Sequence, residues 1–127
     1  MKRAQIAIEF VIVISLAFSL VLIFMVINTY KISDVARSRE ILLLQQETAS
    51  ISDELIAASI VQDGYSRRFM IGEDLYNLNF SASVNNTLLI TRTKNYELVQ
   101  RVPPANGSLV NGENIIRKEG GIIYLNS

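Results

Sequence analysis

Glu9 is the only charged side chain between Arg3 and Lys31. From residue 10 to residue 27 every side chain is apolar except the hydroxyl-bearing Ser15 and Ser19. A carboxylate at the head of such a run can do one kind of chemistry, which is to attract and orient a cation. In hydrocarbon an ionised carboxylate costs on the order of a few kcal/mol, so an acid placed there is by default a candidate functional position that needs a counter-charge; the plainer alternative is a carboxylate at headgroup level, wetted by the interface, because Glu9 lies within one turn of the start of the run. The residues around Glu9 supply none.

Little other chemistry is available. The chain has no His and no Cys, which removes the commonest general base, the commonest metal ligand, thiolate chemistry and disulfides. Ser, Asp and Lys occur, but none stands in a nucleophile–base arrangement, and there is no Gly-rich phosphate loop. The expectation is a chain with no catalytic residues, no metal site and no cofactor, and therefore not an enzyme. Twelve basic residues balance twelve acidic ones, which gives no footprint for nucleic acid. Three Asn-x-Ser/Thr sequons, at Asn79, Asn85 and Asn106, are candidate N-glycosylation sites if the segment is exported. Asn85 and Asn106 fall in expected turns and Asn79 in an expected strand; ordinary turn and strand chemistry explains all three equally simply.

The element that positions Glu9 is the apolar run itself. It is long enough to span a bilayer as a helix, residues 6–27, and contains neither Gly nor Pro. A secretory signal has a shorter apolar core of about 7–15 residues and a small-residue cleavage site after it. Here the run ends in Asn28-Thr29-Tyr30-Lys31 with no such site, so the helix is expected to persist in the mature protein. Lys2 and Arg3 before the run favour a cytoplasmic N-terminus and an external C-terminal part.

The order of features here, a basic leader (Lys2, Arg3), a small residue (Ala4), Gln5-Ile6-Ala7-Ile8-Glu9-Phe10 and then an apolar helix, resembles an archaeal type IV pilin-like protein with a class III signal peptide. Ala7 stands where that family more usually has Ser, and the Gly-rich start of archaellins is absent. The resemblance implies that a membrane prepilin peptidase cuts between Ala4 and Gln5, upstream of the helix, making Glu9 the fifth mature residue. The leader would take two of the twelve basic residues with it, leaving ten against twelve acidic, a net of −2. Loss of the basic anchor would ease withdrawal of the helix from lipid. The new α-amine on Gln5 of a neighbouring subunit would become the missing partner of Glu9, favouring its ionised form and keying axial register during assembly.

Beyond the run, residues 28–63 also lack Gly and Pro and are rich in helix formers. Ile41, Leu44, Thr48, Ile51, Leu55 and Ala58 recur at helical spacing as one face, with Arg39, Gln46, Ser50 and Asp53 opposite. Asp63-Gly64 reads as the stop, and Asn28-Thr29 and Ser33-Asp34 as places where the helix could bend. A single helix over residues 5–62 would be about 87 Å long, of which about 30 Å fits in a bilayer. Arg67-Arg68 reads as a solvated connector that could also meet lipid headgroups or a neighbour's Glu73-Asp74. Residues 76–84 alternate apolar and polar and predict a strand; Asn85-Asn86 turns it into a return strand over residues 87–93. Residues 96–102 predict a third strand, residues 105–108 a loop, and residues 115–118 and 122–125 a terminal hairpin around Glu119-Gly120-Gly121.

The fold class expected is α+β: a long N-terminal hydrophobic α-helix, transmembrane before assembly, packed on one small antiparallel β-sheet of four to six strands. The organisation is a leader over residues 1–4, a long helix over 5–63 and a β domain over 64–127. The function expected is a structural subunit of a type IV pilus-like surface filament, serving adhesion or attachment. Its partners would be membrane lipid before assembly, the prepilin peptidase, and identical or related pilin subunits. The alternative is a membrane-anchored surface binding protein that never polymerises, or a minor pilin-like component.

Overall fold

The computed structural model describes all 127 residues apart from the side chains of Glu73, Asp74 and Tyr76. One helix, α1, runs Lys2–Ile60 without interruption. The chain divides into two compact units, Met1–Ser38 and Arg39–Ser127, both containing part of α1.

Continuity of α1 follows from its composition, since the first glycine in the chain is Gly64. Of the two places where it could have bent, Ser33-Asp34 stays helical, and Asn28-Thr29 is tied into the helix by side-chain bonds. Asn28 Nδ2 donates to Phe24 O at 2.8 Å and Thr29 Oγ1 to Met25 O at 2.9 Å, each four residues back along the same helix. The helix stops at Ile60, slightly before Asp63-Gly64, because a side chain from elsewhere takes its last carbonyls. Lys118 Nζ donates to Ser59 O and Val61 O, both at 2.7 Å. No basic residue lies in the last turn of α1 itself, so this lysine is the cation that meets the negative end of the helix dipole. Asp63 Oδ1 then accepts from Gly121 N at 2.9 Å, which ties the exit of the helix to the terminal hairpin.

In the second unit α1 packs on two sheets. β1 (Ser66–Ile71), β6 (Gly112–Glu119), β7 (Ile122–Leu125) and β5 (Ala105–Gly107) form a four-stranded sheet in the order β1-β6-β7-β5. Its pairs are antiparallel except β5 with β7. β2 (Ser81–Asn85), β3 (Leu88–Arg92) and β4 (Glu97–Arg101) form a separate antiparallel meander. The α+β class expected from sequence is what forms, with seven strands in two sheets in place of one sheet of four to six.

The helix face anticipated from spacing is the face that is buried. Leu44, Ile51, Leu55 and Ala58 have no exposed surface and Thr48 has 3%. Ile41 is half-buried, while Arg39, Gln46, Ser50 and Asp53 are exposed. Ile71, Leu75, Phe80, Leu89, Ile116, Ile123 and Leu125 complete the core. Burial of Leu44, Ile51 and Leu55 alone is worth roughly 5–9 kcal/mol at about 1.5–3 kcal/mol per large aliphatic side chain. A polar seam runs beside this apolar face. The Thr48 and Thr91 hydroxyls meet at 2.6 Å, Gln100 Nε2 donates to Ser52 Oγ at 2.9 Å, and buried Glu40 accepts from Thr93 Oγ1 at 2.8 Å and Asn95 Nδ2 at 3.1 Å. Apolar contact tolerates sliding, whereas these directional bonds hold α1 in one rotation and one axial register against β3 and β4.

Three further readings are corrected. Residues 76–84 do not form one strand: Glu73–Leu78 is a 3-10 helix and only Ser81–Asn85 is extended. Gly72 and Asn79, in left-handed backbone at φ 78° and φ 51°, bracket the 3-10 turn, and Asn79 breaks the extended run. Arg67-Arg68 is not a connector but part of β1, where Arg67 lies 3.3 Å from Glu54 and Arg68 3.3 Å from Glu113. The alternative partners Glu73 and Asp74 lie outside the described residues. Residues 105–107 are an edge strand rather than a loop. The terminal hairpin forms as expected, with Glu119 opposite Ile122 and a two-residue turn whose glycines have φ 58° and 78°.

Two outcomes test these assignments by chemical unfolding of the full chain in detergent. A Cβ at Gly107 (φ 116°) would lie 2.0 Å from Leu125 O, whereas one at Gly64 (φ 93°) meets nothing within 4 Å. Gly107→Ala should cost about 3 kcal/mol or more, and Gly64→Ala only about 1 kcal/mol. Glu40→Ala, which removes the short acceptor of the buried Thr93 hydroxyl and leaves it only the 3.5 Å contact to Tyr96 O, should cost about 1–2 kcal/mol, with Glu40→Gln recovering part of it.

Candidate assembly and processing segment

The first unit holds the residues singled out for processing and register. Every side chain in Met1–Ser38 is exposed except half-buried Asn28. Over residues 10–27 the fifteen large apolar side chains are 48–69% exposed. The helix is long and apolar enough to cross a membrane, and no part of its most apolar stretch is buried within the chain. Left in water, that surface would cost on the order of tens of kcal/mol at about 25 cal/mol per Å².

Local backbone bonding prepares the segment for an apolar medium. Ser19 Oγ donates to Ser15 O at 2.8 Å, so that hydroxyl needs no outside partner, as with Asn28 and Thr29. Glu9 differs from all of these. Its carboxylate accepts only a long 3.5 Å contact from Gln5 Nε2, one turn back, and among the described residues no ion pair includes it. A neutral amide at that distance leaves the charge uncompensated.

The Ala4–Gln5 bond sits in the first turn of α1, where Gln5 N reaches Met1 O at 3.3 Å. First-turn N–H groups lack helical partners, and the positive end of the helix dipole disfavours cations beside it. Lys2 and Arg3 are such cations, and no acidic residue lies in the first turn. The first turn of α1 therefore has fewer stabilising contacts than the turns that follow it, as helix ends commonly do.

The three sequon asparagines are all exposed, and among the described residues none of their amides makes a hydrogen bond. Asn79 caps the 3-10 helix, Asn85 ends β2, and Asn106 lies in β5 opposite Tyr124 of β7. The described residues of the second unit line surface depressions. One, of about 310 Å³, is lined by Gly72, Leu75, Asn79, Phe80 and Asn111, and one, of about 250 Å³, by Gln45, Thr48, Leu98, Val99 and Gln100. None of these residues is ionisable, and among the described residues no cluster of acids could hold a metal ion.

Sequence reasoning missed Glu40, Glu47 and Lys118 as structural anchors. Glu47 Oε1 accepts from Gly72 N at 2.6 Å and so holds the turn that opens the 3-10 helix. Glu40 precedes Leu44 by one helical turn and was within reach of the periodicity argument; Lys118 carried no local signal, because its partners lie 57 and 59 residues away. No family model, no curated protein and no solved structure matches this chain.

Hydrogen exchange on the full chain in detergent micelles should separate the two ends of α1. Amides of residues 2–8 should exchange at the earliest labelling times, and those of residues 44–58 should stay protected; equal protection at both ends would refute a weakly held first turn.

Proposed function

We propose that the chain is a structural subunit of an archaeal type IV pilus-like surface filament, assembled through its hydrophobic N-terminal helix. The observation that carries this reading is an apolar helix with no cover from its own chain and a single uncompensated carboxylate, Glu9, at its head. Lipid covers the helix before assembly, and sister helices cover it afterwards.

Processing between Ala4 and Gln5 by a prepilin peptidase fits the same physics. It removes Lys2 and Arg3 from the end of the helix where cations are unfavourable and leaves Glu9 near the new terminus, where an anion is favoured. It also creates an α-amine at Gln5. In a filament the amine of one subunit compensates Glu9 of the next, which supplies the missing counter-charge and sets axial register. Before processing the N-terminus is cytoplasmic and the second unit external; after assembly the β-sheets form the outer surface, where adhesion and any glycans at Asn79, Asn85 and Asn106 would reside. The chain's role is structural, with no reaction assigned to it.

The mass of the mature polypeptide is the direct test. It should correspond to residues 5–127, plus a discrete increment for each occupied sequon. Glu9→Leu should insert and be processed normally yet give few or no filaments. Native material that retains Met1 and stays monomeric without detergent would sink the proposal and favour a static membrane anchor.

A further inference from the structure

The α1 residues of the second unit carry a second pattern that packing on the sheets does not use. Arg39, Leu42, Gln46, Ala49, Asp53, Ile56 and Ile60 follow one another at alternating steps of three and four. At about 100° per residue they centre roughly half a turn away from Leu44, Ile51 and Leu55, on the side facing away from both sheets. All seven are exposed, Leu42 by 63%, Ile56 by 43% and Ile60 by 79%. Steps of three and four are the spacing of a helix–helix seam. Leu42, Ala49 and Ile56 are one heptad apart and form one row of it; Arg39, Gln46, Asp53 and Ile60 form the other.

The charges in that seam select how two copies can meet. Among the described residues neither Arg39 nor Asp53 has an ion-pair or hydrogen-bond partner within the chain. Parallel helices in register would set Arg39 against Arg39 and Asp53 against Asp53, which is repulsive. An offset of one heptad sets Arg39 of one copy and Asp53 of the other against Gln46, and the first copy's Asp53 against Ile60, so no opposite charges meet. An offset of two heptads, 14 residues or about 21 Å along the axis, sets Asp53 of one copy against Arg39 of the other and Ile56 against Leu42. An antiparallel pair centred on Gln46 also joins Arg39 to Asp53, but it requires helices of opposite polarity.

We infer that this outer face of α1 is a contact surface for a second copy of the chain, parallel and staggered by two heptads, with Asp53 of one copy paired to Arg39 of the other. The parallel choice rests on the filament reading above, in which every helix leaves the same membrane face. Polar residues in a seam of this kind cost stability and confer register, so Arg39 and Asp53 select the stagger while Leu42 and Ile56 supply the contact.

The absence of native cysteine makes cross-linking a clean test. A chain carrying both Leu42→Cys and Ile56→Cys, oxidised within filaments, should give a ladder of disulfide-linked chains, and either single variant should stay monomeric on a denaturing gel. Adding Arg39→Asp should abolish the ladder, and adding Asp53→Arg as well should restore it; a ladder indifferent to Arg39→Asp overturns the charge pairing. A disulfide dimer of Gln46→Cys overturns the parallel stagger in favour of the antiparallel pair. Filaments of chains beginning at Gln5 that give no ladder overturn the stagger and leave the filament reading intact. Chains that keep Met1 and never polymerise overturn both.

Discussion

One helix has to satisfy two environments. In the second unit α1 presents one apolar face, and the sheets cover it completely at Leu44, Ile51 and Leu55. Over residues 10–27 it is apolar on all sides, and the chain offers no cover over this stretch. A helix that is hydrophobic all round needs a surrounding apolar medium, and a helix with one such face needs only a partner. The same regular backbone passes from one requirement to the other because no Gly or Pro interrupts it and because Ser19, Asn28 and Thr29 bond back to its own carbonyls.

Once the helix is given, the rest of the second unit can be understood as the means of holding it. Hydrophobic burial supplies most of the stabilisation but little positional information. The Thr48–Thr91, Ser52–Gln100 and Glu40–Thr93 bonds supply the position, one after another along a flank of the helix. Glu47 and Lys118 then hold the two chain segments that must turn sharply, the start of the 3-10 helix and the exit from α1. The loop before β6 is organised the same way. Buried Asn114 bonds Val110 on both its backbone groups, and Asn126 bridges Asn114 Oδ1 and Ser108 O.

What could be read from the sequence was what depends on neighbours in sequence. The helix, its buried face, the β2–β3 turn, β4 and the terminal hairpin all follow from periodicity and turn residues over short spans. The errors share a cause. Alternation over residues 76–80 looked like strand, yet Asn79 adopts a left-handed conformation that an apolar–polar pattern does not encode. β1 was hidden because its arginines resemble a solvated linker, and only pairing with β6, more than forty residues on, makes it a strand. β5 has three residues and exists through its parallel pairing with β7. In the first turns of α1 the order of residues was legible from the chain alone. The weak first turn of α1 was not, because it depends on which backbone groups find partners.

The brevity of the connections has a consequence for durability. Only two residues join β2 to β3 and two join β6 to β7, while the exit from α1 is pinned by Lys118 and Asp63. Proteolytic cutting concentrates at exposed, polar loop tips and loose chain ends. These three joints offer little of that, and they are held short by hydrogen bonds alone, with no disulfide to lock them.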